Sequence, residues 1–144
     1  MKKIIFVIMQ LGVLMILFGC SVEMLGMPKY ESKECHYGDG FQDYTDYCKY
    51  FYNKETIKKF ETHAKFKKVS DTNIDDIKGY FEDFTEWAKM EDYYDKYDFD
   101  YTTQIKKGDY FYINEKSGYE KYGDYDVYYV DMTKQILYFI HSNI

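Results

Sequence analysis

The chain has 144 residues, with 25 acidic side chains against 19 lysines, no arginine, and a net charge of −6. That balance excludes a basic stripe for nucleic acid, and without guanidinium groups it excludes bidentate phosphate recognition. The aromatic share is 22%, from 19 tyrosines, 11 phenylalanines and one tryptophan, enough apolar volume for the core of one small domain and not of two.

The chain opens on Lys2 and Lys3, an apolar run from Ile4 to Phe18, and then Gly19-Cys20. This segment of 15 residues falls short of the roughly 20 that a membrane span needs. Cations, a short apolar run and a small residue before a cleavage point are the parts of an export signal. Leu17-Phe18-Gly19-Cys20 resembles the lipobox of a bacterial lipoprotein signal peptide. The resemblance implies cleavage before Cys20, a lipid on its thiol, and a mature chain held at the extracytoplasmic face of the cell membrane. Phe18 departs from the pattern, being bulkier than the residue usual there. An uncleaved anchor from Ile4 to about Val22 is the alternative. The resemblance covers about twenty residues and implies nothing about the fold that follows. Three regions are expected: a signal peptide over 1–19, a lipidated tether and irregular segment over 20–52, and a small α+β domain over 53–144.

Losing Lys2 and Lys3 leaves 17 lysines against 25 acids, a net charge of −8. No polybasic patch remains, so membrane contact is expected through the N-terminus alone. With Cys20 lipidated, Cys35 and Cys48 are an even pair around a polar, glycine-containing segment. A bridge would close a loop of about 14 residues and remove roughly 3 kcal/mol of unfolded-state entropy. Two free thiols are the other reading, because spacing alone supplies no Cβ geometry.

Asn53 is a candidate N-cap for a short helix with Ile57, Phe60 and Ala64 on one stripe. A longer helix is predicted from about Thr72 to Met90, where Ile74, Ile77, Phe81, Phe84 and Ala88 share a face, flanked by Tyr80 and Trp87. Its opposite face collects Asp75, Glu82, Asp83 and Glu86, and the like charges of Glu82 and Glu86 repel across one turn. Four strand-like segments follow at Tyr97–Ile105, Asp109–Ile113, Asp126–Val130 and Gln135–His141, with Asp131 to Lys134 as a tight turn. The expected fold is α+β: N-terminal helices packed on a three- to four-stranded antiparallel β-meander.

The motifs for chemistry are weak. Asp71, Asn73, Asp75 and Glu82 match EF-hand ligand positions, but Asp76 stands where the loop needs glycine. Asp92, Asp95, Asp98 and Asp100 form a second acidic cluster, equally consistent with a solvated turn. Cys35, His36, Cys48 and His63 are zinc-ligand types at no standard spacing. Neither a nucleophile elbow nor HExxH occurs, and the histidines, His141 included, have no partner motif. Trp87 and its neighbouring tyrosines invite a sugar-stacking reading, against which core packing is the simpler account.

No catalytic residue, metal or cofactor is therefore expected. The function read from the sequence is a membrane-tethered lipoprotein whose domain is a non-catalytic binding module with an acidic surface. Asp75, Glu82, Asp83 and Glu86 are its candidate interaction face, and a cationic protein or peptide its expected partner. The alternative is a cell-envelope hydrolase with an Asp/Glu/His site that no motif reveals.

Overall fold

The structure, a computed structural model, describes residues 25–38, 43–96, 104–116 and 121–143. The expected signal segment, its lipobox and Cys20 lie outside the described residues.

Six antiparallel strands form one sheet: β1 (Ser32–Tyr37), β2 (Tyr44–Phe51), β3 (Lys67–Lys68), β4 (Tyr110–Glu115), β5 (Asp124–Asp131) and β6 (Ile136–Asn143), in the order β1-β2-β6-β5-β4-β3. Between β2 and β3 runs α1 (Lys54–Ile57), which tightens into a 3-10 turn over Lys58–Thr62; α2 (Ile74–Ala88) lies between β3 and β4. This corrects the expected architecture. The sheet has six strands, not three or four, and the helices follow β1 and β2 instead of preceding the sheet.

The missed strands have a physical explanation. β2 buries Tyr47 against one layer and Cys48 and Tyr50 against the other, so its apolar residues do not alternate as a one-sided strand would. β1 is an edge strand whose first three residues are exposed, and its sequence SKECHY reads as polar loop. The segment expected to be irregular thus contributes two strands to the same sheet as β6.

Of the later strands, Asp109–Ile113, Asp126–Val130 and Gln135–His141 correspond to β4, β5 and β6, each shifted by one or two residues. For the expected strand at Tyr97–Ile105, residues 97–103 lie outside the described residues, and Ile105 is buried outside any strand. The β5–β6 turn is closed by Asp131, whose Oδ1 accepts from the Thr133 and Lys134 amides at 2.9 and 2.8 Å. Gln135 takes the left-handed conformation there, with φ 61°.

Two apolar layers cover the sheet. On one face Ile77, Phe81, Phe84 and Ala88 of α2 pack on Tyr47, Tyr129 and Ile140. On the other, Ile57, Phe60 and Phe66 pack on Tyr128, Leu137 and Phe139, joined by Leu25, Met27 and Tyr30. Ala64 is exposed, and Phe66 takes the place expected for it. Phe111 and Ile113 belong to the first layer, Tyr110 and Tyr112 to the second, as the strand period requires.

The two helices start differently, α1 with a side-chain cap and α2 without one. Asn53 Oδ1 accepts from the Glu55 and Thr56 amides at 3.1 and 2.8 Å, capping α1. Asn73 precedes α2 and braces the turn, accepting from the Ser70 amide and donating to the Lys68 carbonyl. Asp75 and Asp76 occupy the first turn, where the helix dipole favours negative charge.

Candidate binding cleft at the sheet edge

β3 is two residues long and pairs only with Tyr110 and Phe111. The chain before it bends away at Phe66, whose amide donates to the His63 carbonyl at 3.1 Å. The outer edge of β4 from Tyr112 to Glu115 therefore has no strand partner among the described residues.

A cleft of about 420 Å³ opens beside that edge. Phe111, Tyr112, Ile113 and Glu115 form one side, Asn73, Asp76 and Tyr80 of the α2 region another, and Lys65 and Lys67 the end nearest β3. Because Ile113 and Tyr112 point to opposite sheet faces, the cleft is lined from both sides of the strand.

The cleft's polar groups divide into engaged and open ones. Tyr80 donates its hydroxyl to Glu115; burial, then this carboxylate, raises the phenol well above its ordinary value. Asp76 forms an ion pair with Lys121, whose ammonium lies over the Tyr122 ring at 5.0 Å. The Tyr122 ring in turn packs edge-on against Tyr80 at 4.8 Å. Gly79 permits this approach, since a Cβ there would stand 2.5 Å from the Tyr122 hydroxyl. At the other end, Lys65 Nζ lies 5.8 Å from the Tyr112 ring centroid, and neither Lys65 nor Lys67 pairs with an acid among the described residues. The cleft's carboxylates, Glu115 and Asp76, are engaged by Tyr80 and Lys121, and Lys65 and Lys67 line its β3 end with no acid paired to them among the described residues.

Cys35 and Cys48 occupy facing positions in β1 and β2 and are joined as a disulfide, with Cα atoms 4.1 Å apart. The acidic residues of α2 differ in their settings. Asp75 pairs with Lys78 at 3.6 Å and Glu86 with Lys89 at 3.2 Å, both within the helix. Asp83 turns toward the sheet and accepts from the Tyr125 hydroxyl at 2.8 Å. Burial raises its pKa, opposed by hydrogen bonds from Tyr125 and Trp87. Glu82 is exposed.

The other candidates are dispersed. Asp71 pairs with Lys107, and Glu82 lies within α2, so the EF-hand positions form no loop. Asp98 and Asp100 of the second acidic cluster lie outside the described residues. The disulfide takes both cysteine thiols of the zinc set, and His63 Nε2 lies 3.3 Å from the Gly26 carbonyl oxygen. Among the described residues no group of three or more His, Cys, Asp or Glu is placed to hold a metal, and no helix is long and apolar enough to cross a membrane.

One polar cluster had no signal in the sequence. Asp46, His141 and Asp126 are register partners across β2, β6 and β5, so they share one face of the sheet. His141 Nδ1 lies 3.0 Å from Asp126 Oδ1, and Asn114 donates to Asp126 Oδ2 at 3.1 Å. The Asp126 carboxyl is desolvated, yet the hydrogen bonds from His141 and Asn114 outweigh this and lower its pKa. Burial raises that of Asp46, with His141 opposing. His141 is only 8% exposed, which fits a structural cross-strand tie better than a group that meets substrate.

The β4 edge was equally hidden in the sequence. The alternation at 110–115 is visible, but whether a strand lies at an edge depends on where its neighbour stops. No known family, no curated protein and no solved structure matches this chain.

Proposed function

We propose that this chain is a lipoprotein tethered through Cys20 at the extracytoplasmic face of the cell membrane, and that its folded domain is a non-catalytic binding module. The observation that carries the binding role is the open cleft beside the β4 edge, which has no strand partner beyond Phe111 among the described residues. Its carboxylates are engaged by Tyr80 and Lys121 and are not arranged as an acid–base pair. The lipobox-like run at Leu17–Cys20 supports the address, and a disulfide suits an oxidising compartment. The negative charge of the mature chain supports a cationic partner, drawn in by long-range attraction. Asp75, Glu82 and Glu86 are exposed on α2 and add to that attraction, while Asp83 turns toward the sheet.

The test replaces Cys20 with alanine and follows partition between membrane and soluble fractions. The reading predicts a membrane-bound parent and a variant with no lipid on the chain. Unchanged lipid labelling in Cys20→Ala would overturn it.

A further inference from the structure

We propose that the β4 edge accepts the extended C-terminal segment of a partner protein as an added antiparallel strand, with the partner's terminal carboxylate held between Lys65 and Lys67. This rests on the binding-module reading and names the partner chemistry of that same cleft.

Three observations converge. First, β4 beyond Phe111 has no strand partner on this edge among the described residues, and backbone groups on such an edge are a template for another strand. Second, the cleft is lined from both sides of the strand, so an added strand has room for side chains on both faces, against Tyr80 and Ile113 on one and Tyr112 on the other. Third, β3 ends the groove, and any strand laid along Tyr112–Glu115 meets Lys67 there.

Direction follows from the sheet and the charges together. Every pairing in the sheet is antiparallel. An antiparallel addition to β4 runs from Glu115 toward Tyr112, which brings its C-terminal end to the β3 side. The two lysines waiting there have no acid to pair with among the described residues, whereas Glu115 and Asp76 at the entry end are already engaged. A chain ending at that point brings its carboxylate to the end of the cleft that Lys65 and Lys67 line and does not have to detour around β3. A partner that is cationic overall satisfies both the long-range field and this local contact, since every unmodified chain ends in a carboxylate.

The experiment uses the full-length chain in a nonionic detergent and one probe, the heptapeptide Thr-Val-Thr-Val-Thr-Val-Thr, with a free C-terminal carboxylate. Binding is read by hydrogen exchange over Tyr112–Glu115 and by titration. The proposal predicts slowed exchange on β4, affinity about tenfold weaker for the C-terminal amide or for the Lys65→Gln/Lys67→Gln double variant, and no binding when alternate peptide nitrogens are methylated. Equal binding of acid and amide, protection confined to another strand, or no binding at millimolar peptide would each overturn it. So would a dimer in sedimentation that protects β4 without peptide, because the edge would then belong to a second copy. None of these readouts depends on the lipid at Cys20, so failure here is separable from failure of the membrane address.

Discussion

Cys35 and Cys48 face each other across the β1–β2 ladder, and their bridge is the covalent tie between the outermost strand and the body of the sheet. β1 contributes little to either apolar layer, so most of its anchorage is the ladder and this bond. A Cys35→Ser/Cys48→Ser variant is expected to lose about 2–4 kcal/mol of stability, measured by urea unfolding. Hydrogen exchange in β1 should accelerate more than in β5. Equal acceleration in both strands would mean that the bridge does not act locally.

The core of the helix-covered face makes a second prediction. Phe84 is fully buried between α2 and the sheet, in the same layer as Tyr47. Phe84→Ala should cost about 3–5 kcal/mol, from lost transfer energy and the cavity left behind. A loss below about 1 kcal/mol in denaturant melts would show that the helix is not seated on the sheet in this way.

Asp109 gives stability a pH slope. It is buried where β4 begins, accepting from the Tyr129 hydroxyl and from the Met132 amide at 3.0 Å. Burial raises its pKa above the ordinary 3.8 despite those bonds. The folded state therefore holds this proton at pH values where the unfolded chain has released it. Stability from this group should rise as pH falls from the raised folded value toward 3.8, and level off below it. Asp109→Asn should flatten that part of the profile, read as the difference between wild-type and variant unfolding free energies across the acidic range. An unchanged profile would contradict the burial argument.

Asp126 should behave with the opposite sign. The hydrogen bonds from His141 and Asn114 hold its folded pKa below 3.8. Its contribution is present above 3.8 and is lost as pH falls through the lowered value. Asp46 and Lys116 bear on the same carboxylate, and the His141 ring lies against it. Asp126→Asn is expected to destabilise the protein at neutral pH, with the gap to wild type closing in strong acid. A gap that widens in acid would refute the pairing.

Parts of this fold were legible in the sequence because their causes are local. The Asn53 cap and the Ile77, Phe81, Phe84 stripe are set by neighbours within a turn or two. The β5–β6 turn is set by Asp131. β2 was illegible because burial on both faces erases the period of two, and Tyr47, Cys48 and Tyr50 read as an irregular run. The candidate cleft could not be read at all. Lys65 and Lys67 lie far in sequence from Ile113 and Glu115, and only the early end of β3 brings them to one groove.

The most direct test of the account is the intact mass of the protein recovered from the membrane fraction, with and without reductant. A tethered lipoprotein gives a chain starting at Cys20 with a diacylglyceryl group, gaining two hydrogens when the Cys35–Cys48 bridge is reduced. A mass that retains Met1 and the residues after it, with no lipid, would contradict the tethered lipoprotein.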